Sequence, residues 1–94
     1  MTLDEIAERI GRKLKANPFE GSLKFDCGDA GVIVLADGDA STVDRPADCT
    51  IRLSEDNLGK LLTGKLNPMT GMMMGKLKLS GDPTVAMKLA RLIG

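Results

Sequence analysis

Leu3, Ile6, Ala7, Ile10 and Leu14 recur at intervals of three and four residues, and Thr2 stands three residues before Glu5 in the arrangement of a capping box. The chain is therefore predicted to open with an amphipathic helix. Glu5 and Arg9, and Glu8 and Arg12, are spaced four apart on its polar side, as on a solvated face. Asn17-Pro18 ends it, because the residue before a proline is pushed out of the helical region. From Ser22 the period becomes two. Leu23, Phe25 and Cys27 alternate with Lys24 and Asp26, which predicts a strand with one apolar face, followed by a turn at Gly28-Asp29. Val32 to Ala36 is apolar without alternation, so that strand should be central or covered on both faces. Asp37-Gly38 is a hairpin signal, with a short third strand predicted around Ala40 to Val43. Residues 47–54 alternate strictly, with Ala47, Cys49, Ile51 and Leu53 on the apolar side.

The second half returns to helical spacing. Ser54 is a predicted N-cap, Glu55 and Asp56 suit the positive end of a helix dipole, and Leu58, Leu61 and Leu62 form the stripe that Gly64 closes. Asn67-Pro68 opens a shorter helical turn, with proline where its missing N–H costs nothing. Lys76 to Ser80 alternates again as a last strand. Gly81-Asp82-Pro83 then starts a final helix through Leu92, in which Val85, Ala86, Met87, Leu89, Ala90 and Ile93 cover more than half the circumference. The order helix, four strands, two helices, strand, helix describes an α+β domain with a mostly antiparallel sheet backed by helices.

Composition narrows the function. With 94 residues the chain reads as a single domain spanning 1–94 with a small core. It contains no histidine, which excludes His-based triads, a histidine general base and histidine metal ligands. Its nine Asp and four Glu cluster in turns and first helical turns, where capping and solvation account for them. Gly71 to Gly75 followed by Lys76 falls one residue short of a phosphate-binding loop, and Leu77 stands where Ser or Thr must bind magnesium. Cys27 and Cys49 lie on apolar strand faces and are expected to be buried, inert thiols. Two aromatics, Phe19 and Phe25, make no stacking platform for nucleic acid. No cofactor and no metal site are expected. The absence of an apolar stretch of about 20 residues and of signal-peptide features leads to the expectation of a cytoplasmic protein, with a monomer favoured.

Charge is balanced overall but uneven along the chain. Residues 1–59 carry 7 basic and 12 acidic side chains, residues 60–94 carry 6 basic and one acidic, so the two parts stand at −5 and +5. Such a dipole could orient the chain at an anionic membrane, or be an ordinary solvated surface. Four of the six methionines fall in Met69-Thr70-Gly71-Met72-Met73-Met74-Gly75. Three consecutive methionines turn through about 200° of a helix and cannot share one core seam. Methionine serves equally as a filler of irregular cores and as an adaptable binding surface.

Ala47-Asp48-Cys49-Thr50-Ile51, Leu62-Thr63-Gly64-Lys65-Leu66-Asn67-Pro68, Gly75-Lys76-Leu77-Lys78-Leu79-Ser80-Gly81 and Ala86-Met87-Lys88-Leu89 occur in that order, and together they resemble the sterol carrier protein 2 family. The resemblance implies a small, stand-alone, bacterial-type member: a five-stranded mostly antiparallel sheet covered by helices and enclosing an apolar tunnel. It further implies non-catalytic binding and transport of fatty acids, fatty acyl-CoA, sterol-like molecules or phospholipids, with a lipid as partner; transient contact with an anionic membrane is expected from the charge asymmetry alone. Expected pocket residues are Phe25, Val34, Ile51, Leu53, Leu62, Leu66 and Leu77, with Leu79 and the methionines Met69, Met72, Met73, Met74 and Met87. Where animal members of the family typically carry an aromatic pair and Gln, this chain has Met72-Met73-Met74. It also lacks their C-terminal Ser-Lys-Leu-type peroxisomal address. The alternatives are a lipid-presenting accessory domain for an enzyme of lipid metabolism, an enzyme using Cys or a carboxylate, and an oligomerising module.

Overall fold

The computed structural model describes residues 2–17 and 20–93, with side chains through Lys88. Helix α1 spans Leu3–Ala16 and strand β1 Leu23–Asp26; a short 3-10 turn, Gly28–Ala30, leads into β2, Val32–Ala36. Then come β3 (Asp39–Ser41), β4 (Cys49–Arg52), α2 (Glu55–Leu62), α3 (Pro68–Met73), β5 (Lys78–Gly81) and α4 (Pro83–Ile93). The element order matches the hydrophobic pattern throughout. Three local signals act as expected: the Thr2 hydroxyl accepts from the Glu5 N–H at 3.2 Å, the Ser54 hydroxyl accepts from Asn57 N–H at 3.0 Å, and Asp37 and Gly38 both take positive φ (55° and 74°) in the β2–β3 turn. Of the two helix pairs, Glu8–Arg12 closes at 3.5 Å; Glu5–Arg9 forms no ion pair among the described residues. Pro18 and Phe19, and the side chains of Leu89, Ala90 and Ile93, lie outside the described residues.

The five strands are ordered β3-β2-β1-β4-β5, and every pairing is antiparallel except β1 with β4. The parallel pair is clasped at its start by two reciprocal bonds: Ser22 N–H donates to Asp48 Oδ2 at 3.1 Å, and Asp48 N–H donates to Ser22 Oγ at 2.8 Å. One face of the sheet, carrying Leu23, Phe25, Ile33, Leu35, Cys49 and Ile51, joins Ile6, Ile10 and Leu14 of α1 and Leu58, Leu61 and Leu62 of α2 in a single apolar core. Both cysteines are free and buried, as expected.

Strand boundaries shift by one or two residues from the expectation: β3 covers Asp39–Ser41 instead of 40–43, and β4 Cys49–Arg52 instead of 47–54. The last strand begins at Lys78 rather than Lys76 because the N–H groups of Lys76 and Leu77 turn back to the Gly71 carbonyl, at 2.8 and 3.2 Å. Strand β2 is second from the edge and, of the two arrangements expected for it, is the one covered on both faces: Ile33, Val34 and Leu35 are all fully buried. Register explains this. Ile33 and Leu35 pair with Phe25 and Leu23 on the core face, whereas Val34 pairs with Lys24 on the opposite one. The connection from β3 to β4 has to cross β2 and β1, and an ion pair of 2.6 Å between Lys24 Nζ and Asp44 Oδ1 puts it on that second face.

Candidate functional site

Helix α3 is built the wrong way round for a surface helix. Asn67 caps it, its side-chain oxygen accepting from the Met69 and Thr70 N–H groups at 2.9 and 3.4 Å, and Pro68 occupies the first turn. The only residue it buries is Gly71. A methyl group added there would meet Leu77 Cγ and Cδ1 at 3.0 Å and Leu66 Cδ1 at 3.6 Å, so the helix backbone rests directly on two core leucines and a further carbon would require Leu77 to shift. Met69 and Met73 each stand two residues from Gly71, about 200° round the helix, and so point away from the core. Their exposures, 67% and 87%, agree. Met72, at 37%, is the least exposed of the run, because it stands only about 100° from the buried face. Met74 caps the end of the helix, and Gly75 follows at φ 75°, the left-handed position that glycine fills without strain.

The thirteen expected pocket residues separate into three groups. Phe25, Ile51, Leu53, Leu62, Leu66 and Leu77 come together, buried in the core beneath the helices, and Leu79 packs partly buried against them. Val34 is not with them: it faces the other side of the sheet, under the β3–β4 crossing. The five methionines are not core either. Met69, Met72, Met73, Met74 and Met87 are all exposed, and with Val43 they make up the exposed large apolar side chains among the described residues. Gly71 was not among the thirteen, although it sets the seat of α3. The Gly71-x-x-x-Gly75 spacing is no signal for this seat, because Gly75 lies beyond α3 at φ 75° with open space around it.

Chemistry around these elements is sparse. Burial pushes the Cys27 thiol up from 9.0 to about 11, with Glu55 and Asp26 adding to the effect. Burial likewise raises Cys49. Both are protonated and poorly nucleophilic near neutrality. No group of three His, Cys, Asp or Glu among the described residues could hold a metal ion. A cavity of about 570 Å³ lies elsewhere, between α1 and β3, and its walls include Asp4, Glu8, Arg12, Lys15 and Asp39. No helix among the described residues is long and apolar enough to cross a membrane.

Comparison with known proteins supplies the context for this geometry. A profile described as the SCP-2 sterol transfer family matches residues 3–94. Sterol carrier protein 2 of Rattus norvegicus is 41% identical over 95 residues, a match covering 95% of this chain and 16% of the rat protein. The Gallus gallus protein of the same name is 51% identical over 49 residues, 52% of this chain and 9% of that one. The chain therefore spans about a sixth or less of the length of these relatives. Among solved structures, sterol carrier protein 2 from Aedes aegypti in complex with palmitate aligns over 100% of this chain and 97% of that one, with a TM-score of 0.82 at 22% identity. At that identity the likeness speaks for the fold.

Proposed function

Because the chain belongs to the SCP-2 sterol transfer family, we propose that it is a non-catalytic carrier of apolar lipids, taking the hydrocarbon part of a fatty acid, fatty acyl-CoA, sterol-like molecule or phospholipid beneath α3. The observation that carries this reading is the seating of α3. A six-residue helix that buries one glycine can move off Leu66 and Leu77 without extracting any of its own side chains from the core. What it uncovers is a wall of apolar side chains, Leu66 and Leu77 with Leu62, Ile51 and Phe25 of the same core, and Met72 at its border. Methionine's flexible thioether suits a border that has to fit cargo of varied shape. The palmitate held by the Aedes aegypti protein of the same fold supports a fatty acid as first ligand to try.

A carrier is stabilised by its cargo. Fatty acid at a hundred times its dissociation constant adds about 2.7 kcal/mol to folding stability, which raises Tm by roughly 10–20 °C in a domain of this size. The test is a thermal melt of the delipidated protein with and without palmitate, with native mass spectrometry of the protein before lipid extraction. A shift of that order, or a lipid-sized adduct lost on extraction, is expected. A cooperative melt unmoved by palmitate, from protein that carried no lipid, would sink the reading.

A second reading is favoured by one observation: the matched stretch is only 16% of the rat relative. As the lipid-presenting part of a larger assembly, the chain would bind the same cargo and also co-purify with a dedicated enzyme of lipid metabolism. Cargo binding without such a partner favours the free carrier.

A further inference from the structure

The carrier reading leaves one kind of chemistry unused, the oxidation of sulfur. With no Trp, Tyr or His in the chain, cysteine and methionine are its readily oxidised side chains. Both thiols are shielded: Cys27 and Cys49 are buried, and burial holds each in the protonated form that peroxides attack slowly. The thioethers are the reverse case. A thioether needs no deprotonation to react, so access grades it, and Met73, Met69, Met74 and Met72 are 87%, 67%, 62% and 37% exposed, with Met87 of α4 at 69%. Four of these five stand within residues 69–74. Met72 matters most, because as the least exposed of the five it stands at the border of the seat of Gly71 on Leu66 and Leu77. An oxygen added to its sulfur is a strong acceptor without a partner at that border. Helix α3 has no charged side chain, and the N–H groups of residues 69–71 and 74–77 are already bonded, to Asn67, Thr70, Met72 and Gly71. The sulfoxide therefore has to turn to water, taking the side chain away from the apolar wall.

We infer that α3 is a reversible oxidation site, at which peroxide converts the exposed methionines to sulfoxides and the oxygen gained by Met72 weakens the hold on apolar cargo. In each event a sulfur lone pair attacks one peroxide oxygen: an S–O bond forms, the O–O bond breaks, and the departing hydroxide takes up the proton left on the transferred oxygen and leaves as water. Sulfur gives up two electrons and the peroxide accepts them. A sulfoxide reductase with a dithiol as reductant returns the two electrons and restores the thioether, the oxygen leaving as water. This regulation rests on the carrier reading, since it acts through the border of the same wall. Oxidation of Met69, Met73 and Met74, by contrast, changes surface that is already in water.

The test treats the full chain with hydrogen peroxide near neutral pH and locates the added oxygen by peptide mass spectrometry. Palmitate affinity is measured by calorimetry before treatment, after it, and after reduction by the two epimer-specific methionine sulfoxide reductases with dithiothreitol. Oxygen is expected on Met73, Met87, Met69 and Met74 first, on Met72 last, and on neither cysteine in that time. The dissociation constant for palmitate should rise about tenfold in step with Met72 and not with the earlier oxygens, and reduction should restore it. Met72→Leu has no thioether at the border, so its own affinity should hold through the same treatment, whereas Met87→Leu should lose affinity as the unaltered chain does. An affinity that survives oxidation of Met72, a loss that Met72→Leu does not prevent, or thiol oxidation ahead of Met72 overturns the inference. So does loss of the cooperative melt on oxidation, for peroxide then unfolds the chain. The palmitate titration of untreated protein keeps the two readings apart: no binding there removes the carrier and this regulation with it, and binding that peroxide leaves unmoved removes the regulation alone.

Discussion

Exchange of Met73 for Gln and of Leu77 for Ala separates an outward-facing α3 from one packed into the core. The two positions are four residues apart and both apolar, yet Met73 is 87% exposed and Leu77 4%. Full burial of a side chain of this size is worth about 1.5–3 kcal/mol, so the residual contact of Met73 amounts to about 0.2–0.4 kcal/mol. Gln matches Met in helix propensity and in its unbranched shape, which leaves that contact as the main change. The expected fall in Tm is about 1–3 °C. Leu77→Ala removes three carbons from beneath Gly71 and from contact with the rest of the core, at about 2–5 kcal/mol. That is a large share of the 5–15 kcal/mol that holds a typical domain together, and Tm should fall by at least about 8 °C. Urea denaturation followed by circular dichroism gives both numbers, with the midpoint moving and the slope unchanged if only stability is altered. If Met73→Gln costs as much as Leu77→Ala, the methionine is a core residue and the outward orientation of α3 is wrong.

Two further outcomes follow from the backbone and from the thiols. Gly81 sits at φ 97°, and a Cβ there would collide with the Asp48 carbonyl oxygen, which also accepts the Asp82 N–H at 2.9 Å; Gly81→Ala should therefore cost more than the about 1–2 kcal/mol of a left-handed residue alone, whereas Gly38→Ala, with open space around its Cβ, should stay near that figure in the same denaturation assay. For Cys27, the folded thiol titrates near 11 and the unfolded one near 9.0, so between those values the unfolded chain loses its proton first and stability falls as pH rises through that window. Cys27→Ala should flatten the decline, and a wild-type stability that is level from pH 9 to 11 contradicts the raised thiol.

What could be read from the sequence is what depends on near neighbours. Thr2, Ser54 and Asn67 cap because a hydroxyl or amide two or three residues from a free N–H needs nothing else, and Asp37-Gly38 turns because both residues tolerate positive φ. Alternation likewise put Phe25 and Ile51 on one face, since one side of β1 and β4 is polar. Val34 was not legible. On β2 both faces are covered, so hydrophobicity carries no information about which way each residue points, and the cover over Val34 comes from a segment that crosses two strands. The orientation of α3 was not legible either: three consecutive methionines cannot all face one seam, and the inside position is occupied by a glycine whose partner Leu77 lies six residues on, where a strand was expected to have begun.

Glycine at that seat also decides how a lipid could be accommodated at tolerable cost. Even one methyl group under Gly71 requires Leu77 to give way by a few tenths of an ångström, so on the proposed carrier reading an acyl chain would displace the helix. A permanent void of even 300 Å³ would cost about 7 kcal/mol, comparable to the whole stability of the domain. Lifting α3 instead uncovers Leu66 and Leu77, at about 3–6 kcal/mol for the pair, and an acyl chain laid on them covers the same surface again. What remains as driving force is the burial of the cargo itself. Half of an acyl chain of about 400 Å² supplies about 5 kcal/mol, little more than the 4 kcal/mol at the low end of association costs. Useful affinity therefore requires most of the chain to be covered, and the two leucines under α3 are too few to do so. On the proposed carrier reading the remainder would come from deeper aliphatic neighbours such as Leu62 and Ile51 and from the flexible thioethers at the rim, and the helix would be a cover that loads by being displaced and not a wall around a standing tunnel.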